Sequence, residues 1–306
     1  MPDAPGRTPD DAASPPRGRT LAPGQRCEVW VARVGDPRAE RLLVTEDVLL
    51  EAPNWAADDT LLLNGDGSLW RLPVDGTAAP TRVELEGLPP INNDHVLDRS
   101  RGLLYLSAND GHLYRAPVAG GPVERLTHDD DIVHFLHGVS PDGARLAFVA
   151  LPRDDLGAPG RLAVVPADGG PVTYPRAGTG HLDGPEFSLD GRWIYVNSEH
   201  WAERPGHAQL ARVPATGGEL ERLVASDTVD WFPHLSPDGA HAAYLSFPTG
   251  TVGHPADLEV EVRIVRTDDW STTVARHAVL GGQGTLNVNS WSPRGDRLAF
   301  VAYPTR

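Results

Sequence analysis

Four residues able to ligate a metal, His95, His137, Glu186 and His234, stand in four different copies of a repeated sequence. Imidazole nitrogens with a carboxylate oxygen suit Mn, Fe, Zn or Ni, if four copies meet at a common axis. Asp94, Asp183, Asp230 and His254 could act as general acids or bases. Such a group, beside a metal that polarises a carboxylate or carbonyl, could run an elimination or a hydrolysis. Glu51, Asn93, Trp231, Gln283, Asn287 and Asn289 offer hydrogen-bonding and stacking groups to a ligand. Plainer roles compete with these. Asp183 and Asp230 could cap tight loops, Trp231 could pack, and the set could satisfy itself in a water-filled channel.

The repeat is what must position these residues. Its clearest copies read Val139-Ser-Pro-Asp-Gly, Phe187-Ser-Leu-Asp-Gly, Leu235-Ser-Pro-Asp-Gly and Trp291-Ser-Pro-Arg-Gly, each followed by an apolar strand. Degenerate copies begin at Trp55 and Val96. The anchors 55, 96, 139, 187, 235 and 291 are separated by 41, 43, 48, 48 and 56 residues. Proline and glycine at these places fit a tight hairpin turn. A second strand pair follows each hairpin, as in Ser68-Leu-Trp-Arg-Leu-Pro, so each copy holds four strands, a to d. Units of this size and content are propeller blades. After Trp291 two strands remain, and Glu28–Asp36 with Arg41–Thr45 supply two more at the start. The expectation is an all-β, six-bladed β-propeller of antiparallel four-stranded blades, its last blade completed by the N-terminal strands.

Strand direction then sorts the loops. Loops d–a and b–c share one face, while the a–b and c–d turns share the other. The Ser-Pro-Asp-Gly turns are a–b turns, so the polar residues above gather on the opposite rim, around the mouth of the central channel. Gly281-Gly-Gln-Gly is followed by no Lys-Ser/Thr and no helix, and reads as a d–a loop placing Gln283 there.

The rest of the chain bounds the setting. Residues 1–26 carry six prolines and almost no large apolar side chains, which predicts a disordered tail before a propeller over 27–306. A formal charge of −15 argues against nucleic acid and anionic membranes as partners. One cysteine, Cys27, allows no internal disulfide, no apolar run would span a bilayer, and no signal peptide is evident. A cytoplasmic location is the expectation.

The repeat resembles the TolB-like family of six-bladed propellers over everything after the tail. Asn92-Asn-Asp-His95, Asp183-Gly-Pro-Glu186, Asp230-Trp-Phe-Pro-His234, Gly253-His-Pro-Ala256 and Gly281-Gly-Gln-Gly-Thr285 are similar to a TolB-related bacterial subgroup. Oligogalacturonate lyases, with related repeats, hold a metal at this rim with histidines and a glutamine. His234 matches that pattern, whereas Glu186 stands where the resemblance implies a histidine. The expected function is therefore binding of a small carbohydrate-like or carboxylated ligand at the channel mouth, with a metal-assisted lyase or hydrolase as its enzymatic form. The alternative is a non-catalytic scaffold that binds a protein.

Overall fold

A computed structural model describes residues 18–305. Six antiparallel sheets form the expected ring, with no helix among the described residues. The first blade comprises Glu51–Trp55, Thr60–Gly65, Ser68–Pro73 and Thr81–Arg82. The second comprises Ile91–Asp98, Leu103–Ala108, Leu113–Pro117 and Glu124–Arg125. In the third, Ile132–Val139, Arg145–Pro152 and Arg161–Pro166 are joined by an outer bridge, Val164 to Thr173. The fourth holds Leu182–Phe187, Trp193–Ser198, Gln209–Pro214 and Glu221–Arg222. The fifth holds Val229–Leu235, His241–Phe247, Ala256–Arg266 and Thr273–Gly282. The last is a composite. Trp291 bridges to Leu298, then Arg297–Ala302 pairs with Cys27–Arg33, which pairs with Ala39–Thr45.

Burial explains the sequence of each strand. Second strands such as Leu61-Leu62-Leu63 and Ala147-Phe148-Val149 are buried on both faces and so lose polar alternation. Three of the outer strands shrink to two residues each, Thr81–Arg82, Glu124–Arg125 and Glu221–Arg222, whose charges discourage edge pairing with another molecule. Six apolar clusters fill the six gaps between neighbouring blades. Phe247 and Val262 pack against Trp291 and Phe300, for example, and Trp55 and Leu61 against Val29 and Val301.

The recurring turn is self-contained. Ser140 Oγ donates to Asp142, whose carboxylate accepts the Ala144 N–H at 3.0 Å, while Ser140 Oγ accepts the Arg145 N–H at 2.9 Å. Ser188 with Asp190 and Ser236 with Asp238 repeat the arrangement.

One expectation is corrected. Residues 1–17 of the predicted tail lie outside the described residues, but residues 18–26 are attached to the ring. Gln25 bridges to Thr305 and donates to the Tyr303 carbonyl at 3.1 Å, and Arg26 N–H donates to the Pro304 carbonyl at 3.0 Å. Fixed polar partners thus make up for the sparse apolar burial of the segment.

Two outcomes test this architecture. Deletion of residues 1–45 removes half of the last blade and should abolish cooperative thermal unfolding, read by circular dichroism. Gly143→Ala places a Cβ at a φ of +64°, 2.6 Å from the Arg101 guanidinium and from Asp98 Oδ2. It should cost about 1 kcal/mol or more in denaturant unfolding.

Candidate functional site

The innermost strands of five blades carry an irregularity at the same height. Pairing register slips between Glu51 and Asn54, Ile91 and His95, Leu136 and Gly138, Asp183 and Glu186, and Trp231 and His234. In three of them a residue at positive φ precedes proline: Ala52 (φ 54), Gly184 (φ 61) and Phe232 (φ 59). A bulge breaks the two-residue alternation and re-aims side chains on either side of it. The channel residues consequently fall into two levels.

The upper level faces the d–a and b–c loops and floors a chamber of about 600 Å³. Its centre is Asp183. Oδ1 lies 3.1 Å from His137 Nε2, and Oδ2 lies 3.8 Å from His181 Nε2 and 3.7 Å from His254 Nε2. Asp94 Oδ1 approaches His137 Nε2 from the other side at 3.9 Å. His254 Nδ1 contacts Gln283 Oε1, and Gln283 Nε2 donates to Asn93 Oδ1 at 3.2 Å. Asn287 Oδ1 accepts the Gly284 N–H at 2.8 Å, fixing the glycine-rich loop. Phe135, Leu151, Trp231 and Phe232 form apolar wall, and Phe232 stacks on His137.

Burial and proximity push these groups apart in proton affinity. Burial raises the Asp94 carboxyl to about 7 despite the nearby His137. Burial opposes charge on His137 too, but Asp94 and Asp183 together lift it to about 9. Asp183 is also desolvated, yet the hydrogen bond from His137 and the nearby His181 and His254 rings hold it well below the usual carboxylate range. His181 is raised by Asp183 against its burial, whereas burial wins at His254 and lowers it. The arrangement combines an ion pair, a proton-retaining carboxyl and a neutral imidazole.

No protein-family model matches the chain. It is 35% identical over 271 residues to an uncharacterised protein of Agrobacterium fabrum, covering 87% of this chain and 89% of that one. A solved structure named for TolB, from Agrobacterium tumefaciens, superposes with a TM-score of 0.82 at 33% identity, over 92% of this chain and 99% of that chain. The chain belongs to the TolB-like family of six-bladed propellers. An oligogalacturonate lyase in complex with manganese shares the fold at a TM-score of 0.54 and 14% identity, over 87% of this chain and 74% of that one.

The metal set expected from the sequence does not assemble in this TolB-like ring. Glu186 and His234 lie on the lower level, bonded to each other at 2.7 Å through Nδ1, and His234 Nε2 faces the Leu286 carbonyl at 3.1 Å. Both ring nitrogens are thereby taken. His95, fully buried, meets Asn54 Oδ1 at 3.0 Å, while His137 belongs to the Asp183 cluster. Among the described residues, no three His, Cys, Asp or Glu side chains are grouped to hold a metal ion.

Of the other expected residues, Asp94, Asp183, His254, Asn93, Trp231, Gln283 and Asn287 all line the chamber. Three do not. Asp230 is enclosed within the fifth blade, accepting from Ser226, Thr228 and Ser246. Glu51 is buried against Asn64 at 3.2 Å and Arg19 at 3.5 Å. Asn289 lies on the lower level, donating to Glu186 and the Leu235 carbonyl. His181 was missed, although it immediately precedes strand a of its blade. Arg19 was missed as well, because it sits in a proline-rich segment with no local signal of its partners. Its guanidinium donates to the Gln283 carbonyl and Asp257, both at 2.7 Å, and so pins two loops at the chamber lip.

If Asp183 holds the His137 imidazolium, Asp183→Asn should make that ring titrate well below about pH 9. Histidine ring resonances followed by NMR across pH would show it; an unchanged midpoint would refute the pairing.

Proposed function

We propose that the upper chamber binds a small polar, carbohydrate-like molecule, and that His254 and Asp94 perform acid–base chemistry on it. The observation carrying this reading is the Asp183 carboxylate, set among three imidazoles within 4 Å on the floor of a 600 Å³ cavity. Groups pushed apart in proton affinity inside one cavity are the means by which active sites run acid and base steps at one pH. With Nδ1 directed at the Gln283 oxygen, a neutral His254 carries its lone pair on Nε2, and can remove a proton from a ring carbon or a water. Asp94, at about 7, retains a proton to deliver to a leaving oxygen. Gln283, Asn93 and Asn287 suit ligand hydroxyls, and the Trp231 indole N–H has no protein acceptor.

The walls fit the same ligand, since a sugar ring presents an apolar face to aromatic side chains. Leu156 and Val252, 58% and 68% exposed, stand at the chamber, whereas the other exposed large apolar residues described, Val44, Tyr174 and Leu189, are not part of its lining. That distribution favours a ligand entrance over a broad patch for a protein partner. The reaction class is elimination or hydrolysis, and no step in it runs through a metal. The cytoplasmic setting expected from the sequence belongs to this reading.

Calorimetric titration with a panel of neutral monosaccharides, uronic acids and their short oligomers should give binding for some members. Asp183→Asn and His254→Ala should weaken it by tenfold or more with melting retained. For any member turned over, kcat/KM should fall above about pH 7 as Asp94 loses its proton. If none of the panel binds, or both variants bind like the parent, the proposal fails.

A further inference from the structure

The opposite face of the ring holds a second cavity, of about 230 Å³, among the Ser-Pro-Asp-Gly turns. His137 lines both spaces, so a single imidazole lies between the chamber above and this vestibule below. The vestibule's walls are apolar, from Val139, Phe187, Leu189, Leu235 and Pro237. Besides the His137 imidazolium shared with the chamber, its lining holds the guanidinium of Arg99.

Arg99 is held in an unusual way. Nε donates to the Trp55 carbonyl at 2.8 Å and Nη2 to the Trp291 carbonyl at 2.7 Å, so the side chain staples the second blade to the first and sixth. These bonds to carbonyls fix the guanidinium plane without forming an ion pair, and among the described residues Nη1 has no protein acceptor. Several other guanidiniums drawn out of solvent meet a carboxylate: Arg19 has Glu51 and Asp257, Arg263 has Glu261, and Arg297 has Asp59 and Asp296. No Asp or Glu oxygen among the described residues lies within 4 Å of Arg99. Glu186, in the same cavity, attracts Arg99 at longer range but makes no hydrogen bond to it, its two oxygens accepting from Leu235 N–H, Asn289 and His234. A half-buried, oriented and unpaired cation at the edge of an apolar space is a receptor for an anion with an apolar tail.

We infer that the vestibule is a second ligand site, distinct from the upper chamber, which takes a short-chain aliphatic carboxylate. The carboxylate pairs with Arg99 and the tail lies against Phe187, Leu189 and Leu235.

The probes are the straight-chain carboxylates from acetate to octanoate, titrated calorimetrically into the full chain, with the matching alcohols as controls. Affinity should rise about fourfold per methylene, as expected for burial of each CH₂, and level off once the tail outgrows the cavity. The alcohols should not compete. Arg99→Met should lower carboxylate affinity about ten- to a hundredfold, the worth of a charge-assisted hydrogen bond. Because Arg99 also joins three blades, Leu189→Glu supplies a second arm. Leu189 is 50% exposed at the vestibule, so a carboxylate there should weaken binding severalfold without disturbing the ring. His254→Ala, which leaves the vestibule lining intact, should bind the probes like the parent. Three results would each overturn the inference: no carboxylate binding, equal binding of the alcohols, or binding lost in His254→Ala and kept in the Arg99 and Leu189 variants.

Discussion

Ring closure is the constraint on which the other features rest. Each apolar cluster lies between two blades, so no blade buries its faces alone. The interface between the fifth and sixth blades needs Phe300, and that between the sixth and first needs Val29 and Cys27. Both depend on Cys27–Arg33 lying beside Arg297–Ala302, with Glu28 opposite Ala302 and Arg33 opposite Arg297. Residues near the two chain termini are thereby locked in one sheet, and opening it would expose two interfaces at once. A rigid closed ring can in turn hold buried charges at a fixed spacing, which a looser scaffold would relax by letting water in.

Those charges are arranged economically around Asp183. Desolvation alone would neutralise it. Instead His137 and His181 keep it ionised, while Asp94, facing the same His137 with no hydrogen bond to it, bears the burial and is raised to about 7. Two carboxyls within reach of one imidazole thus end with proton affinities pushed in opposite directions. The distinction comes from geometry: 3.1 Å against 3.9 Å.

Much of this was legible in residue patterns. Four near-identical turns, each closed by its own Ser and Asp, announce the blades because the hydrogen bonds are local, and the same locality reveals which rim is plain. The gathering of Asp94, His137, Asp183 and His254 on the other rim followed from strand direction. What sequence could not reveal was height within the channel. The bulges decide it, and they depend on pairing with the neighbouring strand. Glu186 and His234 therefore looked equivalent to His137, yet they fall below it. Asp230 looked equivalent to Asp183, yet its acceptors are filled by Ser226, Thr228 and Ser246 of its own blade. Arg19 carried no local signal at all, because its partners are 32 to 264 residues away.

The two levels also differ in how far their polar groups satisfy one another. On the lower level the polar atoms of Glu186 and His234 are consumed within the protein: His234 is bonded through both nitrogens, Glu186 through both oxygens, and Asn289 donates to Glu186. A self-satisfied network of that kind is what a channel with no ligand would need throughout. The upper level departs from it. His254 and His181 stand 3.7 and 3.8 Å from Asp183, beyond hydrogen-bond reach, and the Trp231 N–H is unpaired. The bulges beneath them hold Ala52 and Phe232 at positive φ, each a strain of roughly 1–3 kcal/mol that the surrounding packing must offset. Strain retained beneath incompletely bonded groups is what the ligand site proposed for the upper level would require, and the lower level shows no such combination.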